Sequence, residues 1–215
     1  MRLVSVNVGL PRTLPYRDKT VTTGIHKEPV AGKTWLRRLN LDGDRQADLR
    51  VHGGEHKAVY VYPFEHYAYW ARELGRNDFG FGQFGENFTV EGLIEDRFNI
   101  GDVFRVGEAL VQVSQPRSPC FKLGLRMGDA GFVARFTAEN RTGCYFRVLE
   151  EGRVQAGDAI VLVERAHDSI SVHAAFRLRH GLGGTREEYA RAARVAYVLP
   201  SWRAVFEKRL VEMER

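Results

Sequence analysis

Short β-type segments separated by glycine turns dominate the first 165 residues, and this pattern limits the fold more than any other feature of the chain. The first residues alternate in polarity like a strand, and six further segments rich in β-branched and aromatic residues follow, at 58–62, 87–90, 103–106, 109–113, 144–149 and 159–163. Between two of these, Gly107-Glu108 suits a two-residue hairpin turn, because glycine accepts the positive φ at the first central position. Many short strands at this spacing favour a barrel or a sandwich over a doubly wound sheet.

Helical signals are few in this region and dominate after Arg165. Inside the β-rich part we predict a helix over 63–74 that Gly75 ends, and a shorter one over 132–136. Beyond Arg165, alanine, arginine, glutamate and leucine recur with helical periodicity, and three helices are predicted, over 171–179, from Thr185 onward and over 201–214.

The starts of the last two helices carry capping signals. Thr185 and Glu188 have the spacing of a capping box, and Ser201 is a suitable cap for the final helix. The apolar stripe of that helix is assigned to Val205, Leu210 and Met213.

The predicted fold is therefore mainly β, with two domains. Residues 1–165 are expected to form a β-barrel domain with a few helices. Residues 166–215 are expected to form a small C-terminal three-helix domain. About fifty residues bury too little surface to be stable alone, so we expect this unit to dock on the barrel.

Composition and charge narrow the environment and the partners. No apolar stretch approaches the roughly 20 residues of a membrane span, and the first residues lack a signal-peptide pattern, so we expect a cytoplasmic protein without a membrane partner. The net charge of +5 favours anionic partners. The basic residues are scattered and match no known nucleic-acid-binding motif, so no specific nucleic-acid partner is expected. A homo-oligomer stays open.

Two glycine- and histidine-containing motifs are interpreted as decoys. Residues 80–85 match Gly-x-Gly-x-x-Gly, but they follow a helix and precede a strand, the reverse of a dinucleotide-binding loop, so we interpret them as a flexible loop. His52 and His56 are four apart, but Gly53 and Gly54 between them disfavour the helix that would align them on a metal.

The segment 48–57 around these histidines has a second interpretation. It is rich in glycine and cations and leads into a strand, so its backbone amides and Lys57 could wrap a phosphate or a pterin edge. A simple β-turn explains the same residues equally well.

Cys120 is the sharpest chemical feature of the chain. It follows a predicted strand and a turn with prolines at 116 and 119, and Arg117 and Lys122 flank it. Nearby cations favour the thiolate, which is the reactive and metal-binding form, and the prolines stiffen the loop that carries the sulfur. Cys144 begins a predicted strand beside two aromatic residues and is interpreted as a core residue.

Four sequence blocks together resemble the MOSC family, and within it the YiiM-like branch that is associated with resistance to 6-N-hydroxylaminopurine. The blocks are Lys27-Glu28-Pro29-Val30, residues 43–62 with Val51-His52-Gly53-Gly54 and Lys57-Ala58-Val59-Tyr60, Gly85-Glu86-Asn87-Phe88, and Ser114-Gln115-Pro116-Arg117-Ser118-Pro119-Cys120. The C-terminal helices resemble the three-helix domain of this branch, so the resemblance covers nearly the whole chain.

The resemblance implies a β-barrel that binds the molybdenum cofactor (molybdopterin), with Cys120 as the molybdenum ligand. A thiolate is a sensible ligand for a redox metal. Contacts to the pterin phosphate are implied for the residues of the matching blocks that carry cationic or hydrogen-bonding groups, Lys27, His52, Lys57, Asn87, Arg117 and Ser118.

The implied activity is reduction of N-hydroxylated compounds, such as N-hydroxylated base analogues, to amines, because related amidoxime-reducing enzymes reduce N–OH groups. A separate flavin-containing reductase is the expected electron donor, since the chain shows no flavin or nicotinamide site. Two alternatives stay open, a persulfide sulfur carrier acting through Cys120 and a non-catalytic cofactor-binding module.

Overall fold

An eight-stranded mixed sheet forms the centre of the molecule in the computed structural model, which describes residues 1–214 without the side chains of residues 50 and 51. Its strands are β1 (Arg2–Val8), β4 (Glu28–Pro29), β6 (Val59–Pro63), β7 (Phe88–Glu91), β8 (Val103–Val106), β9 (Ala109–Pro116), β10 (Cys144–Glu150) and β12 (Ile160–Glu164). They are ordered β12-β8-β9-β10-β6-β7-β1-β4, and only β6 and β7 are parallel.

Two small antiparallel ribbons accompany the sheet. One pairs β5 (Thr34–Leu36) with β11 (Gly152–Val154), and the other is the hairpin of β2 (Arg12–Tyr16) and β3 (Lys19–Thr23). The prediction of a mainly β region is confirmed, with all six predicted segments falling on strands of the sheet. The predicted hairpin turn is also confirmed, because Val106 pairs with Ala109 and Gly107 has a φ of 53°.

A closed barrel is not confirmed, because the eight strands are ordered as an open sheet. The beginnings of β1 and β12 approach each other at a single bridge between Arg2 and Ala159. The amide of Leu3 also donates to the carbonyl of Asp158 at 2.9 Å. The amides of Gly157 and Ile160 donate to the carbonyls of Leu3 and Met1 at 2.8 and 2.9 Å. These contacts join the ends of the two segments without placing β1 next to β12 in the strand order, so the barrel stays a prediction.

Seven α-helices are present among the described residues, together with a 3-10 turn at Glu55–Lys57. They are α1 (Leu49–His52), α2 (Glu65–Leu74), α3 (Phe121–Met127), α4 (Phe132–Ala138), α5 (Val172–Arg179), α6 (Arg186–Arg194) and α7 (Pro200–Glu212). The helix predicted over 63–74 is confirmed as α2, with Tyr67 and Trp70 buried and Gly75 ending it in the left-handed conformation. None of the helices in the described part of the chain is long and apolar enough to span a bilayer.

The three C-terminal helices are present, and the capping box of Thr185 and Glu188 is confirmed at the start of α6. The predicted start of α7 is wrong. Leu199 rather than Ser201 occupies the capping position, and Pro200 is the first helical residue. Proline suits that position because its missing N–H would have no partner inside the helix.

The predicted apolar stripe of α7 is confirmed only in part, because Leu210 packs against the core. Trp202 and Phe206 are the buried residues, whereas Met213 is 46% exposed. The two aromatic side chains bury the most apolar area, and that determines which face of the helix turns inward.

One hydrophobic core runs from the sheet into these helices. Val111 and Val113 of β9 belong to the same cluster as Leu178, Tyr189 and Phe206 of the three helices. A second, aromatic cluster lies between α2, α3 and α4, around Tyr62, Trp70, Phe84, Phe132 and Phe136. The division at residue 165 stays a prediction, and the C-terminal limit at residue 215 lies outside the described residues.

Cys144 is a core residue, as predicted. It is buried at the start of β10, and burial raises the pKa of its thiol well above the ordinary value. We expect Cys144→Ser to lower the free energy of unfolding by on the order of 1 kcal/mol, because a hydroxyl replaces a thiol in an apolar setting. Urea unfolding would measure this change, and unaltered stability would contradict the core role.

Candidate functional site

One cavity of about 660 Å³, including its opening to solvent, lies beside the end of β9. We call it the cation-lined pocket. All seven site residues predicted from the sequence line it: Lys27, His52, Lys57, Asn87, Arg117, Ser118 and Cys120. The fold therefore collects in one place residues that are up to 93 positions apart, from Lys27 to Cys120.

Cys120 is positioned by the strand before it and the helix after it. β9 ends at Pro116, the loop from Arg117 to Pro119 crosses the pocket wall, and Cys120 lies in extended conformation directly before α3. Its side chain is partly exposed, and its Sγ lies 3.6 Å from Nε2 of His52. The thiol therefore faces the cavity with an imidazole beside it.

His52 and Lys57 bring a neutral and a cationic group to the same wall. Burial lowers the pKa of His52, and the charges of Lys122 and Lys57 act in the same direction, so its imidazole is neutral at pH 7. Burial also lowers the pKa of Lys57. The neighbouring Cys120 acts in the opposite direction, but its effect is the smaller of the two.

The turn that carries Lys57 is attached to β9 by side-chain hydrogen bonds. The carbonyl oxygen of His56 accepts from Oγ of Ser114 at 2.6 Å and from Nε2 of Gln115 at 3.4 Å. Gln115 also accepts from the indole of Trp202 at 2.9 Å, which links α7 to this wall.

The segment 48–57 forms a four-residue helix and a 3-10 turn in place of the simple turn considered for it. No single helix among the described residues contains both His52 and His56.

Arg117 is the most informative side chain of the pocket. It is buried, and its guanidinium lies over the rings of Tyr60 and Phe136 at 5.1 and 5.4 Å. No salt bridge joins it to a carboxylate, and its buried Nη1 has no hydrogen-bond partner among the described residues. A buried cation without an anion is costly, so this geometry indicates that an anionic ligand completes it.

Lys27 and Asn87 line the pocket and are already engaged in contacts within the protein. Lys27 forms a buried ion pair with Asp44. Asn87 donates to Oδ2 of Asp44 at 3.0 Å and accepts from the amide of Tyr60 at 3.1 Å. These contacts support a role in holding the pocket wall, and contact with a ligand stays a prediction for both.

Ser118 lies at the exposed edge of the pocket, where its Oγ is 3.1 Å from Nε2 of His180 at the end of α5. The hydroxyl thus joins the loop of Cys120 to the C-terminal helices. Its predicted contact with a ligand stays a prediction as well.

The sequence missed several pocket residues. Tyr60 and Tyr145 are paired across β6 and β10 and both line the cavity, together with Arg45 and Phe84. Alternation along each strand could have suggested that the two tyrosines share a face, but only the strand register brings them opposite each other.

The charge of the lining is strongly one-sided. The described lining includes no aspartate or glutamate. It includes five cationic residues: Lys27, Arg45, Lys57, Arg117 and Lys122. Electrostatics of this kind select an anionic ligand.

The two motifs interpreted as decoys are a loop, at residues 80–85, and a pair of histidines on separate helical turns, His52 and His56. Residues 80–85 form a loop between α2 and β7, as predicted, although Phe84 within it is fully buried. Within the described part of the chain, no group of three or more His, Cys, Asp or Glu side chains is placed to hold a metal ion.

The fold and the site together define a sheet-dominated domain with a thiol in a deep, cation-lined pocket. Residues 48–161 match the family model described as the MOSC domain. The chain belongs to the MOSC family, and its full-length similarity to YiiM places it in the YiiM-like branch, as the sequence blocks predicted.

Three known proteins show the extent of the similarity. The crystal structure of YiiM from Geobacillus stearothermophilus superposes with a TM-score of 0.80 at 36% identity, covering 97% of this chain and 98% of that one. YflK of Bacillus subtilis is 46% identical over 207 residues, which is 96% of this chain and 93% of that protein. A protein of Gibberella moniliformis named reductase is 33% identical over 155 residues, 71% of this chain and 28% of that longer protein.

Proposed function

We propose that this protein binds the molybdenum cofactor in the cation-lined pocket, with Cys120 as the metal ligand, and reduces N-hydroxylated compounds to amines. The observation that carries the proposal is the buried guanidinium of Arg117, whose Nη1 has no hydrogen-bond partner among the described residues, in the same pocket as a partly exposed thiol. A pterin phosphate supplies the anion that the guanidinium lacks, and a soft thiolate suits molybdenum. The name reductase of the fungal relative agrees with this class of reaction.

The residues of the pocket fit such a cofactor in charge and donor type. Arg117 and Lys57 would hold its anionic groups from within the pocket, with Arg45 and Lys122 adding positive charge to the lining. Cys120 would hold the metal through Sγ, and the neutral imidazole of His52 at 3.6 Å would orient that sulfur. Lys27 and Asn87 would hold their own part of the pocket wall in place, because both bond to Asp44.

The reaction requires two electrons and two protons for each substrate molecule. When bound, the cofactor supplies the two-electron redox chemistry that turns R–NH–OH into R–NH2 and water. The protein orients the substrate and limits water around the reacting group, and the pocket is closed on its inner side by Tyr60, Phe84 and Tyr145.

We further propose that the electrons come from a separate flavin-containing reductase. The basic C-terminal helices would suit an acidic partner, and the candidate docking residues on them are arginines 177, 179, 186, 191 and 194. Four of these five arginines form bonds within the chain, for example Arg177 with Glu188 and Arg186 with Glu214. These contacts support a role in packing, and docking at this surface stays a prediction.

Metal analysis joined to an activity assay tests the proposed function. The protein, purified from cells that make the cofactor, is expected to contain stoichiometric molybdenum and pterin. It should reduce benzamidoxime with a small chemical reductant such as reduced viologen. With NADPH alone and no added reductase, no turnover is expected.

Each result has a defined meaning. Protein without molybdenum that carries a cyanide-releasable sulfur on Cys120 would overturn the proposal in favour of a persulfide carrier. Molybdenum-loaded protein without any reductase activity would support the other alternative, a non-catalytic cofactor-binding module. Turnover with NADPH alone would contradict the requirement for a separate donor.

A further inference from the structure

A second depression adjoins the cation-lined pocket on the other side of Cys120. We call it the apolar groove, and its lining is Val21, Thr22, Ala47, Asp48, Leu49, His52, Cys120, Phe121 and Lys122. Four of these residues also line the pocket: Ala47, His52, Cys120 and Lys122. The sulfur of Cys120 therefore lies at the junction of two cavities.

The two cavities differ in chemistry. The pocket carries five cationic side chains, whereas the groove is bounded by the hydrocarbon side chains of Val21, Leu49 and Phe121. Leu49 is 70% exposed and Phe121 is 45% exposed. Large apolar side chains grouped at a cavity and left open to solvent mark a binding surface, because water contact with them is unfavourable.

The β2–β3 hairpin forms one wall of the groove. Val21 and Thr22 come from β3, and the ring of Tyr16 packs against Phe121 with 4.9 Å between centroids. The hairpin and the start of α3 thus present an aromatic surface immediately beside the thiol.

We propose that the apolar groove binds the body of the substrate, a small planar aromatic N-hydroxy compound, with its N–OH group directed toward Cys120. This inference rests on the proposed function, because it assigns the deep pocket to the cofactor. An anionic cofactor suits the cationic pocket and leaves the groove as the approach to the metal from solvent. An aromatic ring can stack on Phe121 and contact Leu49, which a strongly charged ligand would not do favourably.

The test compares Phe121→Ala and Leu49→Ala with wild-type protein containing molybdenum. Binding of benzamidoxime is measured first by calorimetry without a reductant, so that the result does not depend on turnover. Both variants are expected to raise its dissociation constant about tenfold, because each loses an apolar contact. With a chemical reductant present, the ratio of kcat/KM for benzamidoxime to kcat/KM for hydroxylamine should fall by about the same factor, because hydroxylamine has no ring to bind.

Matched controls are available on other surfaces. Phe64, 40% exposed at the start of α2, and Leu10, 58% exposed, line neither cavity. Phe64→Ala and Leu10→Ala should leave both measurements unchanged, and Phe121→Tyr, which keeps the ring, should restore wild-type binding. Thermal melts and molybdenum content of every variant exclude loss of fold or cofactor.

The outcomes separate this inference from the proposed function. Wild-type binding and an unchanged substrate ratio in Phe121→Ala and Leu49→Ala would overturn the groove assignment. Loss of molybdenum in these variants would do the same, since it would assign the groove to the cofactor. Wild-type protein that binds benzamidoxime through Phe121 without reducing it would support the groove and overturn the proposed reaction.

Discussion

Replacement of Cys120 by serine is expected to abolish N-hydroxy reduction and to remove molybdenum from the purified protein. The thiol lies at the junction of the pocket and the groove, and an alcohol is a poor ligand for a metal that a thiolate holds well. The side chain is partly exposed, so the melting temperature should match that of wild-type protein without the cofactor, to within less than about 0.5 kcal/mol. Metal analysis, activity and a thermal melt of the same preparation measure all three effects.

Cys144→Ser is the matched control for this variant. Its thiol is buried in the core and lies outside the lining of the pocket, so the variant should lose some stability but keep molybdenum and activity. Opposite behaviour of the two cysteines is the expected pattern. Full activity in Cys120→Ser would exclude the ligand role.

Replacement of Arg117 by methionine is expected to have opposite effects on cofactor binding and on the stability of the ligand-free protein. Losing charge-assisted hydrogen bonds to an anion costs roughly 1.5 to 3 kcal/mol, or about a ten- to hundredfold loss of cofactor affinity. In the ligand-free protein the guanidinium is buried and its Nη1 is unsatisfied, whereas methionine fills similar space without a charge. Removing an uncompensated buried cation should therefore leave the melting temperature of ligand-free protein equal or higher.

A second arginine supplies the control for this experiment. The guanidinium of Arg141 lies over the ring of Tyr69 at 4.1 Å, outside the lining of the pocket. Arg141→Met should leave molybdenum content unchanged. Equal molybdenum content in Arg117→Met and wild-type protein would show that the anion binds elsewhere in the pocket.

The sequence predicted the strands well because their signals are local. Alternating apolar residues and glycine turns determine strand and hairpin positions over a few residues, as at Gly107 between β8 and β9. The capping box at Thr185 succeeded for the same reason, since its two side chains and two amides lie within one turn. The start of α7 was misplaced because Ser201 suits a helix that begins at residue 202, whereas Pro200 is itself the first helical residue.

The candidate site was predictable as a set of residues but not as an arrangement. The motif around Cys120 and the matching blocks identified seven residues that the fold brings to one cavity. Their states were not predictable, because the ion pair of Lys27 joins it to Asp44, 17 positions away, and burial decides the pKa of both Lys27 and His52.

By itself, the sequence determined the β-rich character of the chain, its family and the cysteine that we propose as the metal ligand, since each depends on local pattern or on a contiguous motif. Only the tertiary structure decided that Arg117 is buried with no carboxylate partner among the described residues, and that Tyr60 and Tyr145 are neighbours on paired strands with 5.5 Å between their ring centroids. It also decided that Phe121, next to Cys120 in the chain, borders a different cavity from the one Arg117 lines. These properties depend on strand register and on contacts between distant segments, and neither is encoded in any single stretch of residues.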